Sequence, residues 1–240
     1  MISEKEDTDP RWYGRRQGKK LRLGRQGLVD NLLPQLRVSS DSADLPPDLS
    51  ELFRPPCNDV WLEIGFGAGE HLATQAANHP DIGFVGCEPF INGVASLLAH
   101  VDKADLKNVR IYDDDARILM DALPAASVGR IFVLFADPWP KTRHHRRRMM
   151  IEANLDRFAR VLKDGGELRF ASDHMDYTSW TLERLLRHPD FDWLALSARD
   201  WRAPPDDWVE TRYETKARAK GDLPAYLRFR REIRKSASGA

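Results

Sequence analysis

The residues best suited to chemistry lie in one stretch, Phe135-Ala136-Asp137-Pro138-Trp139-Pro140-Lys141-Thr142-Arg143-His144-His145-Arg146-Arg147-Arg148. An acid is followed by two prolines that stiffen the chain, an indole that offers a flat face to a base, and a run of cations suited to phosphates. A second stretch, Glu63-Ile64-Gly65-Phe66-Gly67-Ala68-Gly69-Glu70, is a glycine-rich turn where the backbone can approach a ligand closely. A dinucleotide fingerprint would need glycine at position 70. Glu70 stands there instead and, with Glu63 before the turn, would repel a pyrophosphate. Further acids occur at Glu88, Asp115 and Asp137, each just after an apolar, strand-like run. One such acid would read as a helix cap; four in succession favour a ligand with cationic groups and hydroxyls. His144 and His145 have no acid or cysteine at ligand spacing, so no metal is expected.

These residues must be positioned by the elements around them. Strand-like runs cover residues 60–64, 83–87, 109–112, 130–135 and 167–171, with 193–196 and 225–230 as an antiparallel closing pair. Helical patterns cover 27–36, 69–79, 90–101, 149–162 and 175–188, with Gly165-Gly166 ending the fourth. Alternating strands and helices predict an α/β fold, a mostly parallel sheet with helices on both faces. Ligands in such sheets bind at the C-terminal ends of the strands, where Glu63, Gly65, Gly67, Glu88, Asp115 and Asp137 all fall. S-adenosylmethionine has the required sulfonium, ammonium, ribose diol and adenine amine. Glu88, about twenty residues past the glycines, is placed for the ribose hydroxyls, Asp115 for the adenine amine and Glu63 for the cationic end.

A chain of 240 residues is long enough for one sizeable α/β domain. The 37 basic and 37 acidic residues cancel, but they are segregated along the chain. No acid occurs between Arg11 and Arg25 or between Lys141 and Arg148, and a third basic group joins Arg228, Arg230, Arg231, Arg234 and Lys235. Patches of this kind steer a polyanion despite zero net charge. The first ten residues are acidic and polar, without the order of a secretion signal, and read as disordered. No stretch is apolar enough to span a bilayer, so a cytoplasmic location is expected. Residues 39–56, rich in Ser, Asp and Pro, read as a linker. Cys57 and Cys87 lack metal spacing and read as reduced.

The segment Asp137-Pro138-Trp139-Pro140-Lys141 with Arg143-His144-His145 closely resembles the signature of the bacterial tRNA (guanine-N7-)-methyltransferase family. The resemblance extends over nearly the whole chain. Arg15-Arg16-Gln17-Gly18 is similar to that family's basic N-terminal segment, residues 63–69 to its cofactor turn, and residues 88–94 to its second-strand segment. Ser172-Asp173 follows the fifth strand as in the family, and Thr211-Arg212-Tyr213-Glu214 with Lys216 and Gly221 resembles its C-terminal motif. Ala136 and Thr142 depart from it, standing where Pro and Lys are expected.

The resemblance implies a Rossmann-like S-adenosylmethionine-dependent methyltransferase fold with a seven-stranded sheet over residues 57–235. A flexible basic arm at 1–25, a helix and linker at 26–56 and a tail at 236–240 are expected to flank it. It further implies that Glu63, Glu88, Asp115 and Asp137 line the cofactor site, with Asp137 as the catalytic-site acid. Lys141, Asp173, Thr211, Arg212, Tyr213 and Glu214 would contact the substrate. Arg143, His144, His145, Arg146, Arg147 and Arg148 would bind RNA, and the target would be the variable-loop guanosine at tRNA position 46. Guanine N7 carries a lone pair and no proton, so Asp137 is expected to orient the base rather than to remove a proton.

Overall fold

The computed structural model describes residues 14–235; the disorder expected for the first ten residues, the start of the basic arm and the tail lie outside them. Seven strands form one sheet: β1 (Asp59–Ile64), β2 (Ile82–Cys87), β3 (Val109–Tyr112), β4 (Val128–Leu134), β5 (Leu162–Ser172), β6 (Phe191–Trp193) and β7 (Ala225–Arg231). Their order is β3-β2-β1-β4-β5-β7-β6. The first five run parallel, and β7 is antiparallel to both β5 and β6. The helices are α1 (Leu23–Asn31), α2 (Leu33–Leu36), α3 (Glu70–Asn78), α4 (Ile91–Ala104), α5 (Ala116–Ala122), α6 (Glu152–Val161), α7 (Met175–Arg187), α8 (Arg199–Arg202) and α9 (Arg212–Ala219). The expected mostly parallel α/β sheet with helices on both faces is what the chain forms. Among the described residues no helix is long and apolar enough to cross a membrane.

The two-residue period of β1 sorts its side chains. Val60, Leu62 and Ile64 enter a core shared with Leu119 of α5, Phe158 of α6 and Tyr177 of α7. Trp61 points the other way, into a core with Leu72 of α3 and Val94, Leu97 and Leu98 of α4. Glu63 alternates onto that second face and is therefore drawn under α3 rather than out to solvent. Each fully buried aliphatic side chain, such as Leu62 or Leu97, contributes about 1.5–3 kcal/mol.

Three segments differ from the sequence-based reading. Residues 39–56 are packed against the sheet rather than linking: Val38 bridges to Ile111, Leu49 begins a short 3-10 turn, and Leu49 and Phe53 are buried. Gly165 and Gly166 do not end α6, which stops at Val161; they sit in an irregular stretch of β5 where the pairing with β4 shifts register. Gly165 takes φ +77° there, a conformation that suits an irregular strand as well as a helix end. The first closing strand runs over 191–193 rather than 193–196.

From β1 the chain winds outward through β2 and β3, then crosses back to β4 on the other side of β1. The switch lies between β1 and β4, where such sheets open a crevice at the strands' C-terminal ends.

Candidate active site

A cavity of about 570 Å³ occupies that crevice, within the range of small-molecule sites. Its walls include Gly65 and Gly67 after β1, Glu88 after β2, Asp115 after β3 and Asp137 after β4. Three of the four predicted acids, with the two glycines, thus meet at one cavity; Glu63 is not on the wall.

The turn after β1 depends on left-handed glycines. Gly67 has φ +58°, and its N–H donates to Glu88 Oε2 at 2.9 Å. A Cβ on Gly67 would stand 3.2 Å from the ring of Tyr213, and one on Gly69 2.7 Å from Leu97 Cβ. Glu88 Oε1 accepts from Phe90 N at 3.0 Å. Burial pushes the Glu88 carboxyl above its ordinary range, Asp137 and Glu63 add to the rise, and the two N–H donors oppose it. Asp115 caps α5 by accepting from Arg117 N at 3.0 Å, and the Arg117 side chain grips both of its oxygens.

Glu63 corrects one expectation. It is buried beside His71 of α3, with Oε2 2.7 Å from Nδ1. Gln75, one turn further along α3, lies 3.4 Å from the other ring nitrogen of His71 and donates to the backbone carbonyl of Asp207 at 3.3 Å. Glu63 therefore anchors the floor beneath the glycine turn and ties it toward the C-terminal segment.

The loop after β4 leaves the sheet through unusual backbone. Phe135 and Trp139 have positive φ (51° and 43°) without being glycine, conformations that cost free energy and cluster at functional sites. Phe135 N–H donates to Ala171 O at 2.7 Å, which holds Asp137 at the rim. The Arg147 guanidinium lies 5.0 Å from the Trp139 ring, and His144 meets that ring edge-on at 5.9 Å. Arg143 and Arg146 are exposed on a 3-10 turn with His145 half-buried between them. Lys141 and Asp173 are exposed and off the cavity wall. Arg148 is the exception in the basic run: its side chain is fully buried and bonded within the protein, so it cannot serve as an exposed RNA contact.

The C-terminal motif divides. Arg212 and Tyr213 reach the cavity. Thr211 instead caps α9 by accepting from Glu214 N at 3.0 Å. Glu214 is buried and takes bonds from Trp208 Nε1 (2.6 Å), Arg218 (2.9 Å) and Tyr226 (2.5 Å). Both side chains are bonded within the protein and lie off the cavity wall. Three members of the third basic group are paired, Arg228 with Glu167, Arg231 with Asp190 and Arg234 with Asp164, while Arg230 and Lys235 are exposed.

Sequence reasoning missed how residues 14–25 are held. Arg16 O accepts from Ile91 N at 3.0 Å, Gly18 N donates to Asn92 at 2.8 Å, and Arg16 pairs with Asp114 at 2.6 Å. Arg15 and Arg25 reach the cavity mouth as a result. The partners are more than seventy residues away in the chain, and no local pattern announces them. Among the described residues no His, Cys, Asp or Glu cluster is arranged to hold a metal.

The family model described as "Putative methyltransferase" matches residues 58–224. The chain is 50% identical to the tRNA (guanine-N(7)-)-methyltransferase of Rhodospirillum rubrum, covering 99% of this chain and 94% of that one. Relatives of the same name from Chelativorans sp. (50%) and Agrobacterium fabrum (49%) each cover 91% of this chain and 94% of their own. Among solved structures, the antibiotic-resistance methyltransferase Kmr superposes with a TM-score of 0.55 at 17% identity, covering 82% of this chain and 96% of its own. The 16S rRNA methyltransferase KamB gives 0.54 at 18%, covering 77% and 93%. These two share the fold. With relatives half identical over nearly its full length, the chain belongs to the tRNA (guanine-N7-)-methyltransferase family.

Proposed function

We propose that the protein transfers the methyl group of S-adenosylmethionine to N7 of a guanosine in tRNA, at variable-loop position 46. The carrying observation is the meeting, at one cavity, of a carboxylate-lined half with a half built from Asp137, Trp139 and a basic turn. The donor set fits S-adenosylmethionine. Glu88 uses one acceptor site of each oxygen on Gly67 and Phe90 and keeps the others for a ribose diol. Asp115, fixed by Arg117, faces the adenine end, and Glu63 acts from beneath the turn through its charge. When bound, S-adenosylmethionine supplies an electrophilic methyl group on a cationic sulfur.

Guanine N7 offers a lone pair and no proton, so the protein has no proton to remove from the attacking atom. Asp137 accepts from guanine N1–H and the 2-amino group, with Asp173 as the alternative partner, and so aims N7. It also faces the positive charge that develops on the base. Trp139 stacks on the ring, and Lys141, Arg212 and Tyr213 approach the nucleotide from the rim. Arg143, His144, His145, Arg146 and Arg147 lie along the phosphate path. A buried N7 in folded tRNA requires local opening of the target. A tRNA substrate supports a cytoplasmic location as part of this reading.

The test is a labelled methyl-transfer assay with unmodified tRNA and with the same tRNA carrying adenosine at the variable-loop position. Label in the first alone supports the reading. Label in both moves the target elsewhere, and no label in either overturns it.

A further inference from the structure

We propose that Arg148 is a positioning residue: its guanidinium sets the shape of the loop that carries Asp137 and ties that loop to the β5–α7 turn that carries Asp173. The inference rests on the function proposed above. Arg148 ends the basic run and in sequence is indistinguishable from its neighbours, yet its side chain is 0% exposed. Nε donates to Pro138 O at 2.7 Å, one residue after Asp137. Nη2 bonds Asp176 Oδ2 at 2.6 Å, in the first turn of α7 and three residues after Asp173. The guanidinium carbon stands 5.0 Å from the ring centre of Tyr177 and 4.8 Å from that of Trp180. Both elements that would grip the guanine are therefore held by one planar fork.

The chemistry of the fork explains the choice of residue. Two nitrogens of fixed separation address two acceptors on different elements, and the flat cation lies against aromatic rings; a lysine offers a point charge and can satisfy one of the two. The loop needs such a hold because Phe135 and Trp139 keep it in costly left-handed conformations. Burying a cation to brace a loop of no consequence would be a poor exchange, since its desolvation is large.

The experiment measures single-turnover methyl transfer at saturating tRNA and S-adenosylmethionine, together with tRNA affinity across a salt series, for wild type, Arg148→Lys, Arg148→Met and Asp176→Ala. A shift of the reacting geometry by about 1 Å lowers the rate about a hundredfold, so Arg148→Met should lose roughly that factor, with Arg148→Lys intermediate. Asp176 is exposed, so Asp176→Ala should fold normally and lose about fivefold in rate through the same fork. Affinity for tRNA should stay within about twofold in all three, and the salt slope should not change. If Arg148→Met does not fold, Arg148→Lys and Asp176→Ala decide the matter. Wild-type saturated rates in both would overturn the inference, as would weaker tRNA binding with a shallower salt slope. An inactive wild type would overturn the methyltransferase reading itself, whereas an active wild type with unaffected variants overturns the role of Arg148 alone.

Discussion

The two halves of the cavity are built differently. On the β2–β3 side, Glu88 and Asp115 are buried, and their oxygens are already bonded to the Gly67 and Phe90 N–H groups and to Arg117. On the β4–β5 side, Asp137, Lys141 and Asp173 are exposed, and among the described residues their side chains form no hydrogen bond or ion pair. The first half needs only a ligand that matches it. The second has its backbone held through the Phe135 N–H bond to Ala171 O and the Arg148 bond to Pro138 O, while its polar side chains stand exposed. On the function proposed above, the difference matches what each would bind: a small cofactor with few degrees of freedom, and a large folded RNA.

Asp137→Asn should break this contrast most. Loss of a carboxylate that aims the base and faces developing charge should lower the saturated rate by about a hundredfold or more, while S-adenosylmethionine affinity changes little. Between about pH 6 and 8 the wild-type single-turnover rate should be nearly flat, because N7 has no proton to lose. A tenfold rise per pH unit that vanishes in Asp137→Asn would make Asp137 a base and end the orienting role.

Glu88→Gln should act on the other half. The carboxylate makes charge-assisted bonds, so its loss should weaken S-adenosylmethionine binding about tenfold or more. Burial raises the folded-state pKa of Glu88, followed in effect by Asp137 and Glu63. The sign for stability is therefore that the contribution of Glu88 is full at low pH and is lost as pH rises through the raised value. Glu88→Gln should leave the protein without cofactor as stable or more so at neutral pH. Cofactor binding has the opposite sign, since the ionised carboxylate accepts the hydroxyls. Calorimetric titrations should show wild-type affinity decreasing as pH is lowered, beginning above the range of an exposed glutamate, and a flat, weak profile for Glu88→Gln.

The exposed turn should govern salt dependence. Replacing Arg143 and Arg146 by Gln removes about two phosphate contacts and should flatten the slope of log affinity against log salt by about 1.5. The saturated rate should be nearly unchanged, which separates these arginines from Arg148. An unchanged slope would place the RNA path elsewhere, with Arg15, Arg25 and Arg212 at the cavity mouth the next residues to replace.

How much of this was legible in the sequence depends on whether the signal was local. The β1 strand, its glycine turn and the acids at Glu88, Asp115 and Asp137 were readable, because apolar runs and acids within three residues of a strand end are local features. Arg148 and Arg147 look alike in sequence, and only the docking of α7 buries one and leaves the other beside Trp139. Glu63 ends its strand as expected, but its face of the sheet, and therefore His71, decides where it points. In the third basic group the pairing of Arg228, Arg231 and Arg234 was not legible for a similar reason: Glu167, Asp164 and Asp190 reach them across β5 and the turn before β6, far away in the chain. Charge runs give composition, not exposure.

The smallest effect tests the divided C-terminal motif. Thr211 Oγ1 accepts from Glu214 N and caps α9, which carries Arg212 and Tyr213 to the cavity. Removing such a cap costs about 1 kcal/mol, so Thr211→Ala should lower the melting temperature by about 2–4 °C for a chain of this size. Thr211→Ser and Thr211→Asp keep a capping oxygen and should retain stability. Because the helix still forms when the rest of the protein is folded, kcat/KM for tRNA should fall only about threefold in the alanine variant and recover in both capping variants. A larger loss that serine rescues and aspartate does not would mean that the hydroxyl itself meets the RNA. Thr211 would then belong with Arg212 and Tyr213 on the exposed side of the site.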